Sequence, residues 1–130
     1  MTIQIYALLV AAILPYVWHF ASLPLKNKQL GGLDLNEPRA RHGELLGSAA
    51  RAVAAQANAW EALGLFAAAN LAALMAGADP QGNWALASMI WVAARVLHGV
   101  AYIADIALLR VACFFAGLAM SIWILLLALG

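Results

Sequence analysis

The chain has 130 residues, of which 66% are hydrophobic and 10% are charged, whereas soluble domains carry about 25% charged residues. A soluble core cannot absorb that much apolar surface, and a net charge of +1 without a basic and aromatic cluster argues against a nucleic-acid partner. A helix that crosses the hydrocarbon needs about 20 apolar residues. The length therefore predicts four membrane crossings and one long loop, with no separate soluble domain.

The first predicted helix spans about residues 3–24. Its apolar run contains Pro15 and stops at Pro24, and proline kinks or ends a helix because it lacks a backbone N–H. No Lys or Arg precedes the apolar run in MTIQIYALLV, so we interpret this segment as a retained helix and not as a cleaved signal peptide. A polar loop is predicted over residues 25–47.

Helix 2 is predicted over residues 48–76, with Ser48 as its expected N-cap. At 1.5 Å per residue this helix is longer than the roughly 30 Å hydrocarbon core. It is rich in alanine, and small side chains let membrane helices approach closely. We therefore expect helix 2 to be central in the packing.

The last two predicted helices span residues 84–104 and 106–129. The segment of residues 77–83, GADPQGN, is typical of a turn, and a tight connection is predicted near Asp105. The five tryptophans are spread along the chain, and we interpret several of them as interfacial anchors. Together these elements predict an all-α membrane protein, with one four-helix transmembrane domain over residues 1–130.

Basic residues indicate the orientation of the chain. They gather in or next to the first loop, as Lys26, Lys28, Arg39, Arg41 and Arg51. The predicted turn between helices 2 and 3 contains none, and an excess of Lys and Arg marks the cytoplasmic side. The first loop and the connection between helices 3 and 4 are therefore predicted to face the cytoplasm.

Polar side chains recur at helical spacing on helices 2 and 3, and an arginine opens helix 4. The topology places all of them in the cytoplasmic half of the membrane. This set, called the polar cluster below, consists of Arg51, Asn58, Glu61, Arg95, His98, Tyr102 and Arg110. Ionisable groups inside a bilayer are costly and usually mark a functional pathway. Gathered at one end of the helices, they predict a pocket that opens to one side.

The polar cluster has a chemical and a structural interpretation. Its arginines would attract an anionic ligand and would favour the thiolate form of a thiol. Alternatively, Arg51, Asn58 and Glu61 form interhelical hydrogen bonds, while Arg95 and Arg110 reach the membrane surface through their aliphatic stems. A transporter or channel is disfavoured, because the outer halves of the helices have no matching polar stripe.

No metal site is predicted from the sequence. His98 has no His or Cys neighbour at ligand spacing, and Cys113 is the single cysteine of the chain. Cys113 lies in an apolar run and is interpreted as a small packed residue.

Two segments resemble a known family. Arg51-Ala52 followed by Ala55-Gln56, Asn58 and Glu61 resembles the second-helix RA…AH.N..E pattern of the MAPEG family, the membrane-associated proteins of eicosanoid and glutathione metabolism. ARVLHGVAYIADIALLR, residues 94–110, is similar to the third-helix R..H…Y pattern of that family and the arginine that opens its fourth helix. The resemblance covers nearly the whole chain.

The resemblance implies a homotrimer in the lipid bilayer of a bacterial inner membrane. It also implies glutathione as co-substrate, bound between subunits near the cytoplasmic face, and a lipophilic small molecule as second substrate. Arg110 would be the catalytic residue that stabilises the thiolate. The glutathione-binding residues would be Arg51, Asn58, Glu61, Arg95, His98 and Tyr102.

The chain departs from the well-studied eicosanoid enzymes of the family at three positions of helix 2. Ala54 and Ala57 stand where those enzymes have basic residues, and Gln56 replaces the usual histidine. Two functions therefore stay open. One is a glutathione-dependent membrane enzyme, of transferase or peroxidase type, that acts on lipophilic electrophiles. The other is a non-catalytic MAPEG-fold protein, either a lipid-binding scaffold or an accessory subunit of a larger membrane complex.

Overall fold

The computed structural model describes residues 1–130 as a bundle of four long α-helices. The helices are α1 (Thr2–Leu30), α2 (Gly47–Met75), α3 (Asn83–Ile103) and α4 (Ala107–Leu127), with a short 3-10 helix at His42–Glu44. Three of them, α1, α3 and α4, are long and apolar enough to cross a membrane. The predicted all-α fold with four helices is confirmed.

The predicted end of the first helix was wrong. Pro24 lies inside α1, which continues to Leu30. The helix ends at Gly31, whose left-handed backbone (φ 72°) lets its N–H donate to the Asn27 carbonyl, as is common at helix C-termini. The polar loop therefore spans residues 31–46 and not 25–47. The other helix ends lie within two residues of their predicted positions.

The helices pack as two antiparallel pairs. α1 packs along α2 and α3 packs along α4, while α2 and α3 each contact all three other helices. The predicted central position of helix 2 is therefore confirmed. The polar loop and the α3–α4 connection lie at one end of the bundle, called the loop end. The chain termini and the α2–α3 turn lie at the other, called the terminal end.

Small side chains form the packed face of α2. The buried alanines of this helix are Ala49, Ala52, Ala55, Ala59, Ala69 and Ala73. Such residues let helix backbones approach closely in lipid, where there is little hydrophobic drive between helices. Near the middle of the bundle, Phe66 of α2 stacks on Trp91 of α3 with ring centroids 3.9 Å apart.

Three of the five tryptophans belong to the core. Trp18, Trp84 and Trp91 are buried, whereas Trp60 is exposed. Burial within the bundle argues against interfacial anchoring for these three. Alanine and glycine on the facing helices leave space that a large indole ring fills, and Trp18 packs directly against Gly99 of α3.

Candidate functional site

A pocket of about 190 Å³ lies between α2, α3 and α4. Asn58, Glu61 and Arg95 give it a polar side, and all three were predicted site residues. Trp91 and Phe114 contribute to its apolar side. The structure therefore brings three members of the polar cluster, from two helices, to one cavity.

Arg95 is buried, at 3% exposure, and is held in place by α2. Its Nη2 donates to the side-chain oxygen of Asn58 and to the Asn58 backbone carbonyl, the latter at 3.3 Å. The amide of Asn58 donates in turn to Glu61 at 3.5 Å. Asn58 therefore links the buried guanidinium to the carboxylate at the pocket edge.

The charge of Arg95 has no ion-pair partner in the chain. The two ion pairs present join Arg41 to Glu44 and Arg51 to Asp105. The Nε of Arg95 is also buried without a hydrogen-bond acceptor. An unpaired buried charge is costly, and guanidinium groups bind carboxylates through charge-assisted hydrogen bonds. The geometry suits an anionic ligand.

Gly117 of α4 provides the space for Arg95. A Cβ at this position would lie 2.9 Å from the Arg95 Cδ and would force the side chain to move. Gly117 also lines the pocket. It was not a predicted site residue, although small residues at helix contacts are a recognisable signal in membrane proteins.

His98, Tyr102 and Arg110 contact one another in series nearer the loop end. The His98 ring lies edge-on to Tyr102, with centroids 5.5 Å apart. The guanidinium carbon of Arg110 lies 4.5 Å from the Tyr102 ring centroid, within cation–π range. None of the three lines the pocket, but on α3 His98 follows Arg95 by one turn.

Arg51 lies apart from the pocket and ties α2 to the α3–α4 connection. Its Nε donates to the Ile103 carbonyl at 3.3 Å, and its Nη1 lies 3.6 Å from the Asp105 carboxylate. Asp105 itself has a positive φ of 63°. This geometry favours the structural interpretation of Arg51, and its role as a ligand of glutathione stays a prediction.

The family comparison agrees with the two motifs. The model of the MAPEG family matches residues 3–130. The chain belongs to the MAPEG family. No curated protein and no solved structure gives a significant match. Membership makes the chain a membrane protein of a family that acts in eicosanoid and glutathione metabolism.

The positions at which this MAPEG chain departs from the eicosanoid enzymes lie outside the pocket. Ala54 and Gln56 are half-buried and Ala57 is exposed on α2. None of them lines the cavity within the single chain. The altered residues therefore leave the Arg95–Asn58 contact intact.

The residues that the sequence motifs missed are those of the apolar wall. Trp91, Phe114 and Leu118 are ordinary members of hydrophobic runs. Hydrophobic pattern does not distinguish a residue that lines a cavity from one that faces lipid, so only the packing of α3 against α4 reveals their position.

Proposed function

We propose that the protein is a MAPEG enzyme that uses the thiol of glutathione to attack lipophilic electrophiles entering from the bilayer. The observation that carries this proposal is the state of Arg95. Its guanidinium is buried, oriented by Asn58, without a carboxylate partner and with a free Nε. A carboxylate of the tripeptide would supply the missing partner.

The size of the pocket favours a site completed by a second subunit. Small-molecule sites usually have volumes of about 300–1,000 Å³, whereas this pocket has about 190 Å³. One chain would therefore hold only part of a tripeptide. The homotrimer implied by the family would supply the remaining contacts, including those assigned to His98, Tyr102 and Arg51.

Arg110 is the proposed catalytic residue. Its guanidinium stacks on Tyr102 and makes no hydrogen bond within the chain, so its N–H groups are free to donate to a thiolate. Such donors stabilise the negative charge on the sulfur of the reacting thiolate. In the transfer reaction the sulfur bonds to the electrophilic carbon, and the leaving group departs with the electron pair.

The same site would support peroxidase chemistry. The thiolate would attack the terminal oxygen of a lipid hydroperoxide and release the alcohol. A second glutathione would then give the disulfide and water. The apolar wall of Trp91, Phe114 and Leu118 would hold the acyl part of the substrate in either reaction.

The function is tested by binding and turnover in detergent. Millimolar glutathione should raise the unfolding temperature of the wild type, because a ligand that binds only the folded state stabilises it. Arg110→Ala should lower conjugation of chlorodinitrobenzene by about 10²–10³-fold while keeping that stabilisation. The matched control is Arg41→Ala, which removes an exposed loop arginine and should leave turnover unchanged. Unchanged turnover in Arg110→Ala would remove Arg110 from the mechanism.

A non-catalytic MAPEG-fold scaffold or accessory subunit is the second candidate. The uncharged Ala54 and Ala57 favour it, because they remove two cations that would otherwise attract the glutathione carboxylates. This candidate predicts no thermal stabilisation at saturating glutathione and no conjugation activity.

The proposed orientation places the loop end in the cytoplasm of a bacterial inner membrane. Lys28, Arg39 and Arg41 lie at this end, whereas the α2–α3 turn carries Asp79 and no basic residue. The proposed glutathione site would then face the cytoplasm.

A further inference from the structure

The apolar side of the Arg95 pocket contains two polar groups that the proposed reaction does not use. They are the indole N–H of Trp91 on α3 and the hydroxyl of Ser121 on α4. Both residues line the pocket, and they are only 2% and 1% exposed. Neither residue belongs to the polar cluster.

The Trp91 N–H has a fixed position and no acceptor. Its ring stacks on Phe66 with centroids 3.9 Å apart, and this contact holds the plane of the indole. The N–H of Trp84 donates to Asn70, whereas that of Trp91 donates to no group of the chain. It is not among the unpaired side-chain atoms that the packing seals, so an acceptor in the pocket can reach it.

The Ser121 hydroxyl is in the same state. Serine hydroxyls in helices often donate to a carbonyl of the preceding turn, as Ser22 of α1 does to His19. The Ser121 hydroxyl makes no such bond and, like the Trp91 N–H, is not sealed by the packing. The apolar side of the pocket therefore offers two open donors.

Gly117 brings these donors close to Arg95. A Cβ at Gly117 would lie 3.9 Å from the Trp91 Nε1 and 2.9 Å from the Arg95 Cδ. Ser121 lies one turn further along α4, on the same face as Gly117. The two donors therefore approach the cavity from facing helices, within about one helical turn of the same level.

These donors lie near the middle of the membrane. Gly117 is the central residue of α4, which spans Ala107–Leu127. At this depth neither water nor a lipid headgroup supplies an acceptor, and an unpaired buried donor costs free energy. A ligand that satisfies the two donors has to bring its own oxygen into the hydrocarbon region.

The surrounding side chains indicate what kind of ligand carries that oxygen. Leu65, Phe114 and Leu118 flank the donors on the apolar side of the pocket. Neutral donors among apolar side chains suit an uncharged oxygen, such as that of a ketone, ester or epoxide, on a hydrocarbon chain. A chain without oxygen would leave both donors unpaired.

We propose that Trp91 and Ser121 select an oxygenated hydrocarbon chain by donating to an uncharged oxygen that is remote from its reacting carbon. The assignment of this chain to the second substrate rests on the proposed function, in which the thiolate lies at Arg110. Gly117 and Ser121 lie about 10 and 16 Å along α4 from Arg110, so the chain oxygen lies at a similar distance from the sulfur. Both residues determine specificity and take no part in the bond changes.

Binding is tested without turnover, by two photoreactive chains in phosphatidylcholine nanodiscs. The chains have the same length and the same diazirine, but one carries a mid-chain ketone where the other has a methylene. Labelled residues are mapped by mass spectrometry. One hydrogen bond is worth about fivefold, so two donors predict about 25-fold stronger labelling of Leu65 and Leu118 by the ketone. Labelling of Leu108, which is 88% exposed on α4, should be equal.

Three variants separate the donors from the shape of the pocket. Trp91→Phe keeps an aromatic ring against Phe66 but removes the N–H, and Ser121→Ala removes the hydroxyl. Each should lower the ketone-to-methylene ratio at Leu118 about fivefold, and the double variant should bring it to one. The control is Ser88→Ala, which removes a buried hydroxyl of α3 outside the pocket and should leave the ratio unchanged.

Two results with these probes would overturn the proposal. Equal labelling of Leu118 by both probes in the wild type, or a preference that persists in the double variant, would mean that the two donors select no oxygen. Protection of Leu65 and Leu118 from both probes would mean that no chain enters the pocket.

Glutathione and turnover distinguish this inference from the proposed function. Saturating glutathione should leave the labelling ratio unchanged, and its loss would assign the two donors to glutathione. A ketone preference in a protein that conjugates no electrophile would keep the binding site but reject its assignment to a second substrate. Turnover without a ketone preference would reject this inference alone.

Discussion

His42 is half-buried in the 3-10 turn of the polar loop, and its Nε2 has no hydrogen-bond partner. Burial lowers the pKa of His42, and the positive charges of Lys26, Arg39 and His19 lower it further. The folded loop therefore disfavours the protonated imidazole. This is a property of the tertiary arrangement, since Lys26 and His19 belong to α1.

This pKa shift predicts that acid destabilises the loop. Below the ordinary pKa of 6.5, the unfolded loop binds a proton that the folded loop does not, so stability rises with pH in that range. The stability that the folded loop gains from a neutral His42 should be complete above about pH 6.5. It should fall as the pH drops towards the pKa of His42 in the folded protein. Amide hydrogen exchange in residues 31–46, corrected for its intrinsic rate, should therefore accelerate on mild acidification.

The control for this prediction is His42→Gln, which keeps a polar side chain but does not titrate. Its corrected exchange should vary less with pH, and amides in the middle of α3 should be unaffected in both proteins. The same pH dependence in wild type and His42→Gln would assign the effect to another group.

At the scale of elements, the contact between α1 and α3 depends on one glycine. A Cβ at Gly99 would overlap the indole ring of Trp18, whereas no atom lies within 4 Å of a Cβ built at Gly64 of α2. The two positions therefore form a natural pair for comparison, because both glycines lie inside helices.

Gly99→Ala should destabilise the fold by about 1–3 kcal/mol, because overpacking forces the ring or the backbone to shift. Gly64→Ala should be neutral or slightly stabilising, since alanine has the higher helix propensity. Thermal unfolding in detergent measures both effects. Adding Trp18→Leu should reduce the cost of Gly99→Ala, and a cost that is unchanged in the double variant would contradict the proposed overlap.

At the scale of the whole molecule, much of the apolar surface of the single chain has no protein partner. Leu108 and Phe115 of α4 and Phe20 of α1 are more than half exposed. Lipid covers part of such a surface in the membrane. The family implies that neighbouring subunits cover another part, and the small size of the Arg95 pocket agrees with a shared site.

We therefore predict a homotrimer in which glutathione binding depends on assembly. Native mass spectrometry of the protein in mild detergent should give a mass of three chains. Conditions that dissociate it to monomers but preserve its helical circular dichroism should abolish stabilisation by glutathione. A monomer that glutathione still stabilises would show that one chain holds the complete site.

The sequence by itself determined the helices, their order, the polar stripes and the family. Hydrophobic run length and helical spacing are local properties, so they identify Arg95 and Asn58 as candidates before any packing is known. The prediction that α1 ends at Pro24 was wrong. Proline weakens a helix locally, but this helix continues through Pro24 and ends at Gly31, which adopts the left-handed conformation.

Only the tertiary structure decided what each polar and aromatic residue contacts. Spacing places a residue on a face of its own helix but does not give the helix that it faces. The structure separates Arg51, which binds the α3–α4 connection, from Arg95, which lines the pocket with Asn58. It also shows that Trp18 is buried in the core, against Gly99 of α3. The space for its indole ring depends on the distance between α1 and α3, which helical spacing does not give.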